Sequence, residues 1–211
     1  MDKINFKKDL AELYSPKNTD WQLVKVPTMS FLMIDGKGNP NTAKEYSDAV
    51  EALYSVAYAI KLASRKILGR DYVVPPLEGL WSAEDPATFT NADKDKYEWT
   101  MMIMQPDWIS KARVARTIDA VKLKKHPPAL SKVRFDHYRE GTAVQLLHVG
   151  SYDDEAPKLK MLHEEYMPEH DLTFNGRHHE IYLSDPRKTA PSKLKTILRQ
   201  PVKQRRGKEQ A

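Results

Sequence analysis

The chain has 211 residues, of which 40% are hydrophobic and 30% charged, and its formal net charge is +5. This length suits one sizeable domain, and no stretch approaches the roughly 20 apolar residues of a membrane-spanning helix. The chain has no cysteine, which excludes disulfides, thiolate zinc sites and a thiol nucleophile. No apolar leader segment follows Met1, so we expect a cytoplasmic protein without a membrane partner.

The first part of the chain predicts a helical extension at 1–20 and then one half of the fold at 21–128. Hydrophobic periodicity and Gly/Pro punctuation place its elements in order. They are strands 21–26 and 29–35, a helix from the capping-box spacing at 42–45 to Gly69, strand 71–82, a polar connection at 83–96, strand 97–105 and a helix at 108–123.

The second half, 129–186, repeats the order of strand, glycine turn and helix. Its predicted elements are strands 132–138 and 143–149, a helix at 154–167, and strands 171–174 and 178–183. In both halves a strand after the helix contains a glutamate, Glu78 in the first and Glu180 in the second. We therefore predict an α+β fold of tandem β-α-β-β repeats. They would form one curved antiparallel sheet with helices on one face and a ligand cleft on the other.

The positive charge is concentrated at the end of the chain. Residues 187–211 contain nine lysines or arginines and one acid, Glu209. Such a segment is typical of a solvated basic tail. We therefore expect a basic C-terminal tail at 187–211, and we do not expect nucleic acid to be a partner.

Strand 178–183 carries the strongest candidate chemistry. Alternation places His178, Glu180 and Tyr182 on the cleft side, opposite the aliphatic core face. A carboxylate there attracts cations or acts as a general base, and the phenol donates a hydrogen bond. The alternative is an ordinary exposed strand with polar outer residues. The matching position of Glu78 favours a functional site.

Aromatic and thioether side chains supply the expected lining for a flat, lipophilic or cationic ligand. We predict that the lining includes Trp81, Trp99, Met101, Trp108 and Tyr152. Strand 97–105 has two apolar faces, and either is a possible core face. For each tryptophan, the alternative to lining the cleft is a position in the hydrophobic core.

The histidines predict no metal site, and we expect no cofactor. His178 and His179 point to opposite faces of one strand, which is poor geometry for chelation. His163 begins a zinc-protease-like spacing, but Met167 stands where the second histidine would be.

Taken together, five segments resemble the GyrI-like small-molecule-binding family. They are residues 31–36, 76–81, 97–100, 149–152 and 179–183, and the resemblance covers roughly residues 20–185. It implies a central cleft. In some members, the effector domains of multidrug-sensing activators, a buried glutamate that matches Glu180 meets cationic drugs. Free-standing members resemble hydrolases that open the cyclopropane of DNA-alkylating natural products.

Only about 20 residues precede Trp21, too few for a DNA-binding domain, so we expect the free-standing, enzymatic branch. Glu180 would be the general base, and Tyr182 or Tyr152 would donate to the developing oxyanion. Substrate binding would fall to the remaining candidates, Glu78, Trp81, Trp99, Met101, Trp108 and His178. The alternative is a non-catalytic drug-binding or sequestering module that uses the same cleft. The oligomeric state stays open.

Overall fold

A computed structural model of the protein describes residues 3–84 and 93–205. Its first half contains helices α1 (Phe6–Asp9) and α2 (Ala11–Tyr14), strand β1 (Gln22–Lys37), helix α3 (Lys44–Ala63) with a π-helical turn at Ser64–Leu68, strands β2 (Leu77–Ser82) and β3 (Glu98–Gln105), and helix α4 (Lys111–Lys124). Its second half contains strand β4 (Arg134–Val149), helix α5 (Ala156–Met161) with a π-helical turn at Leu162–Tyr166, helix α6 (Met167–Glu169), and strands β5 (Leu172–Phe174), β6 (His178–Tyr182) and β7 (Lys195–Gln204).

The strands form one antiparallel sheet in the order β4-β1-β3-β2-β6-β7-β5, and β4 also pairs with β7. Six strands therefore close into a barrel-like ring, with β5 attached to the end of β7. The predicted α+β class and curved antiparallel sheet are confirmed. The sequence did not predict the closure of this sheet, in which the pairing of β4 with β7 leaves no free edge between them.

One apolar layer lies on the outer face of the ring and another on its inner face. Outside, α3 buries Ala49, Leu53 and Ile60 against strand residues that include Trp99 and Ile103. Inside, alternate residues of the same strands form a second cluster of Phe31, Met33, Leu80, Met102 and Met104. Both faces of β3 are thus buried, which explains why its alternation indicates no single core face.

The boundaries of several elements differ from the prediction. Strands predicted at 21–26 and 29–35 are one strand, β1, and those at 132–138 and 143–149 are one strand, β4. The capping box is wrong, because the N-cap of α3 is Ala43 and no side chain caps it.

The C-terminal segment is the largest difference. The predicted solvated tail instead contributes β7, which lies between β4 and β6 and has seven consecutive buried residues, 196–202. The positive charges of β7 led to the prediction of a solvated tail. The structure instead buries Arg199 and pairs it with Glu140 inside the ring. Residues 206–211 of that tail, and 85–92 of the predicted polar connection, lie outside the described residues.

Across the described ranges, no helix is long and apolar enough to cross a membrane. Nor does that part of the chain bring together three or more His, Asp or Glu side chains in a group that could hold a metal ion.

Candidate functional site

A large cleft lies on the outer surface of the ring, above β2 and β6 and between α3 and the segment 151–159. One wall is a stripe of α3 with four-residue spacing, which places successive side chains on one face of a helix. Its members are Tyr46, Val50, Tyr54 and Tyr58. The predicted separation of helices and cleft onto opposite faces is therefore wrong, because α3 and the cleft share the outer face.

The depression has a volume of about 2210 Å³ and continues around the exposed side of α3 towards α4. Small-molecule sites usually occupy about 300–1,000 Å³. The part above β2 and β6 is consequently one section of a longer groove, and it is the section where the titratable side chains meet.

Glu180 and Tyr182 form the polar floor of the cleft. The Tyr182 hydroxyl donates a 2.8 Å hydrogen bond to Glu180 Oε2 and accepts a 3.0 Å bond from Trp81 Nε1. His178 Nε2 lies 3.6 Å from Glu180 Oε1. Gly79 pairs with Glu180 in the sheet, and a Cβ at Gly79 would lie 2.9 Å from Trp81 Nε1. The missing side chain thus makes room for the Trp81–Tyr182 hydrogen bond.

Tyrosines surround this floor. The Tyr46 ring stacks near Trp81 with centroids 6.3 Å apart, and the Tyr152 ring meets Tyr182 edge-on at 5.8 Å. Burial, followed by the charge of Glu180, raises the pKa of Tyr152 to about 12 and also raises the pKa of Tyr46 and Tyr182. All three phenols therefore keep their protons at neutral pH, and each can donate a hydrogen bond.

Glu155 is the principal site residue that the sequence did not reveal. It lies just before α5, lines the cleft and is only 5% exposed. Burial, and then the neighbouring charge of Glu180, raises the pKa of the Glu155 carboxyl well above its ordinary value. Its Oε1 atom has no hydrogen-bond partner within the described ranges. Burial and the charge of Glu180 therefore both favour the protonated form of the Glu155 carboxyl.

The sequence around Glu155 explains why it was missed. Asp153 and Asp154 immediately precede it, and acids at the start of a helix are common because they complement the helix dipole. Asp153 and Asp154 are exposed, whereas Glu155 is buried. No local pattern distinguishes Glu155 from these two neighbours, because only its position near Glu180 in the folded protein does so.

Glu78, predicted as part of the cleft, lies inside the ring instead. Leu77 and Trp81 face α3, so alternation turns Glu78 to the opposite side of β2, where it is 1% exposed. Tyr14 donates a 2.9 Å hydrogen bond to its Oε1, and His179 Nε2 lies 2.9 Å from its Oε2. The prediction that Glu78 takes part in the cleft together with Glu180 is wrong.

The contacts of Glu78 belong to an interior network of paired charges. His179 Nδ1 lies 2.9 Å from Glu140 Oε1, and Arg199 Nη1 donates a 3.2 Å bond to Glu140 Oε2. Burial by itself lowers the pKa of His179 and raises that of Glu140. The mutual attraction outweighs burial, so the pKa of His179 rises to about 9, while that of Glu140 is lowered with the added help of Arg199. These groups neutralise each other and hold the interior together.

Three other predicted lining residues lie away from the cleft. Trp99 and Met101 are buried in the core beneath α3, on the face of β3 that also carries Ile103. Trp108 precedes α4 and donates a 3.1 Å hydrogen bond to Ser64 Oγ. The structure does bring five predicted residues together at the cleft: Trp81, Tyr152, His178, Glu180 and Tyr182. Their chemical roles stay predictions.

The fold and cleft define the chain as an α+β small-molecule-binding protein, and comparison with known proteins agrees. The family model of the GyrI-like small molecule binding domain matches residues 19–203. The chain therefore belongs to the GyrI-like family. None of the functionally curated proteins matches the chain.

Solved structures from Listeria innocua are similar over nearly the whole chain. One, of an uncharacterized conserved protein, is 40% identical, with a TM-score of 0.88 and coverage of 95% of this chain and 100% of that chain. Another, of a hydrolase, is 38% identical, with a TM-score of 0.86 and coverage of 96% and 100%. The C-terminal domain of EcmrR is 10% identical with a TM-score of 0.56 over 88% of this chain and 98% of that domain, and thus shares the fold.

Proposed function

We propose that this protein hydrolyses strained lipophilic electrophiles, such as cyclopropanoid DNA-alkylating natural products, and thereby protects the cell. The observation that carries this proposal is the pair of carboxyl groups in an aromatic cleft, Glu155 and Glu180. Both residues line the cleft, and the pKa of Glu155 is raised by burial and by Glu180, which suits Glu155 to the role of the acid and Glu180 to that of the base. The similarity to a Listeria innocua hydrolase at 38% identity supports the same reaction class.

The reaction adds one water across a cyclopropane carbon–carbon bond conjugated to a carbonyl group. Glu180 accepts a proton from water as the water oxygen attacks a ring carbon. The strained bond breaks, and its electron pair moves through the conjugated system to the carbonyl oxygen. The protonated carboxyl of Glu155, or the Tyr152 hydroxyl, donates a proton to that oxygen. General acid and base contributions are each worth about 10²–10⁴-fold in rate.

Tyr182 holds the base in place in this scheme. Its single proton is engaged with Glu180, and its oxygen accepts from Trp81. This arrangement fixes the Glu180 carboxylate and occupies the Tyr182 proton. Of the two donors expected from the sequence, Tyr152 is therefore kept, and Glu155 takes the place of Tyr182. The rings of Trp81 and Tyr46 would stack on a flat substrate and align it for attack.

Mass spectrometry of a duocarmycin-type cyclopropanoid tests the proposal. Wild-type protein should convert the compound to a product heavier by one water, and Glu180→Gln should not. Glu164→Gln is the matched control, because Glu164 is exposed on the π-helical turn after α5. Equal conversion by wild type and Glu180→Gln would overturn the role of Glu180.

A non-catalytic binding module is the second candidate. Aromatic rings around a carboxylate also suit flat cations, through cation–π attraction and charge pairing. In that case the compound would co-elute with the protein and be recovered unchanged, and Glu180→Gln would weaken only its binding.

A further inference from the structure

We propose that one end of the molecule docks on an anionic lipid bilayer. This end, which we call the basic tip, is formed by the C-terminal end of α3, the π-helical turn and the residues that follow it, the start of α4 and one residue of α1. Its members are Lys7, Leu62, Arg65, Lys66, Ile67, Leu68, Arg70, Arg113 and Arg116. The proposal concerns a surface outside the cleft and does not depend on the hydrolytic reaction.

The basic tip exposes aliphatic side chains that the fold leaves uncovered. Leu62 is 60% exposed, Ile67 66% and Leu68 37%, all within seven residues of one another. Single exposed aliphatics are ordinary, but a local group of them marks an interaction surface. Their exposure shows that the fold leaves them uncovered, although Leu62 and Ile67 also line the shallow outer part of the depression along α3.

Positive charge surrounds these aliphatics. Residues 61–72 carry four cations and one acid, and residues 107–116 carry three cations and one acid. The acid of the first segment, Asp71, is already paired with Lys61. Within the described ranges, Arg65, Lys66, Arg113 and Arg116 form no ion pair. Their charge is thus available to an external anion.

Tertiary contacts join the separate segments into one surface. Trp108 Nε1 donates to Ser64 Oγ at 3.1 Å, which ties the start of α4 to the π-helical turn. The Arg70 guanidinium lies over the Trp108 ring, 5.1 Å from its centroid. Lys7, Leu62, Ile67 and Arg113 line the same depression that leads along α3 to the cleft.

A bilayer fits this combination better than a nucleic acid or an acidic protein. Lysine and arginine are attracted to anionic headgroups, and protruding aliphatics insert at the boundary with the acyl chains. A phosphate backbone would use the cations but gains nothing from Leu62 and Ile67. Lipophilic molecules partition into bilayers, so a docked basic tip would place the groove leading to the cleft at their source.

Vesicle co-sedimentation tests the surface. Wild-type protein should pellet with vesicles of phosphatidylcholine mixed with phosphatidylglycerol, but not with phosphatidylcholine alone, and added salt should release it. Arg65→Glu with Lys66→Glu should reduce the partition coefficient by about tenfold or more. Lys25→Glu with Lys203→Glu makes the same change in net charge on the exposed sides of β1 and β7 and should retain most of the binding.

Site-specific labelling provides an independent readout, because the chain has no cysteine. An environment-sensitive dye on Ile67→Cys should shift to shorter wavelength with anionic vesicles. The same dye on Leu23→Cys, exposed on β1, should not shift. Absence of vesicle binding, equal losses in the two charge-reversal pairs, or binding to duplex DNA without binding to vesicles would each overturn the proposal.

Discussion

Two pairs of carboxyl groups lie on opposite sides of the wall of the ring, and they behave differently. Inside the ring, Glu78 and Glu140 flank His179, and Arg199 adds a second cation at Glu140. In the cleft, Glu155 and Glu180 have no ion pair with a lysine or arginine within the described ranges. The pKa of Glu140 is accordingly lowered and that of Glu155 is raised.

This difference teaches that burial by itself does not identify a functional carboxylate. Desolvation raises the pKa of any buried acid, and a neighbouring cation reverses the shift. The interior groups therefore pair with one another, whereas burial and the neighbouring charge of Glu180 favour the protonated form of Glu155 in the cleft. Glu78 and Glu180 carry the same side chain on the paired strands β2 and β6, but Glu78 faces Ile181 inside the ring, whereas Glu180 faces Gly79 on the cleft side.

Removal of an interior charge should have the largest effect on stability. Glu140→Gln leaves Arg199 and His179 with one carboxylate too few, and breaking a buried ion pair costs about 3–5 kcal/mol. Urea denaturation should show this loss in the free energy of unfolding. The exposed Glu164→Gln is the control, and a loss equal to that of the control would contradict the structural role of the network.

Glu155→Gln should change stability in the opposite direction. The amide is neutral in both folded and unfolded states, so folding no longer requires protonation of a buried acid. At neutral pH the free energy of unfolding should rise by about 1 kcal/mol or more, since each unit of raised pKa costs about 1.4 kcal/mol. Turnover should fall at least about tenfold, because an amide is a poor acid. Reduced stability in urea denaturation would show that Glu155 is ionised and paired.

The pH dependence of stability should separate the two regions. His179 has a pKa raised from 6.5 to about 9, so its stabilisation is complete below pH 6.5 and is lost as pH rises through about 9. Glu155 has a pKa raised above 4.5, so its proton is bound more tightly when folded, and stability falls as pH rises above 4.5. Wild-type stability should therefore decline from about pH 4.5 upwards on account of Glu155.

The Glu155→Gln variant isolates the interior contribution in the same titration. The variant should lose the decline in stability that begins near pH 4.5 and keep the decline between pH 6.5 and about pH 9. Urea midpoints measured across this pH range give the comparison. A decline in the variant identical to that of wild type would mean that Glu155 does not titrate differently on folding.

Gly79→Ala should have the smallest effect. The added methyl group would lie 2.9 Å from Trp81 Nε1 and 3.1 Å from the Tyr182 hydroxyl, on the cleft side of β2. We expect turnover to fall several-fold with a stability change of about 1 kcal/mol, while the interior network is unaffected. Kinetics and urea denaturation of this variant, with Ser82→Ala at the half-buried last residue of β2 as control, provide the measurement. An unchanged rate would show that the Trp81–Tyr182 bond is not needed.

Local periodicity predicted several features correctly. The long helix α3, strand β3 and strand β6 occur where their patterns indicate, with ends shifted by a few residues. In β6, strict alternation separates His178, Glu180 and Tyr182 from His179 and Ile181, as observed. These correct predictions have one cause, because each depends only on residues that are a few positions apart in the sequence.

Features that depend on distant partners were beyond the sequence pattern. Segment 195–204 forms a strand of the ring although it carries charges. Its buried Arg199 is paired with Glu140, which is 59 residues away in the sequence. Trp99 and Met101 are in the core because α3 covers them, although the alternation of β3 allows either face.

The sequence by itself determined the α+β class, the alternation that exposes Glu180 and Tyr182, and the absence of thiol chemistry. Tertiary structure alone decided the closure of the ring, the exclusion of Glu78 from the cleft and the inclusion of Glu155. The physical reason is that backbone periodicity is a local property. The charge that a buried carboxyl group carries, in contrast, is set by neighbours brought from elsewhere in the chain.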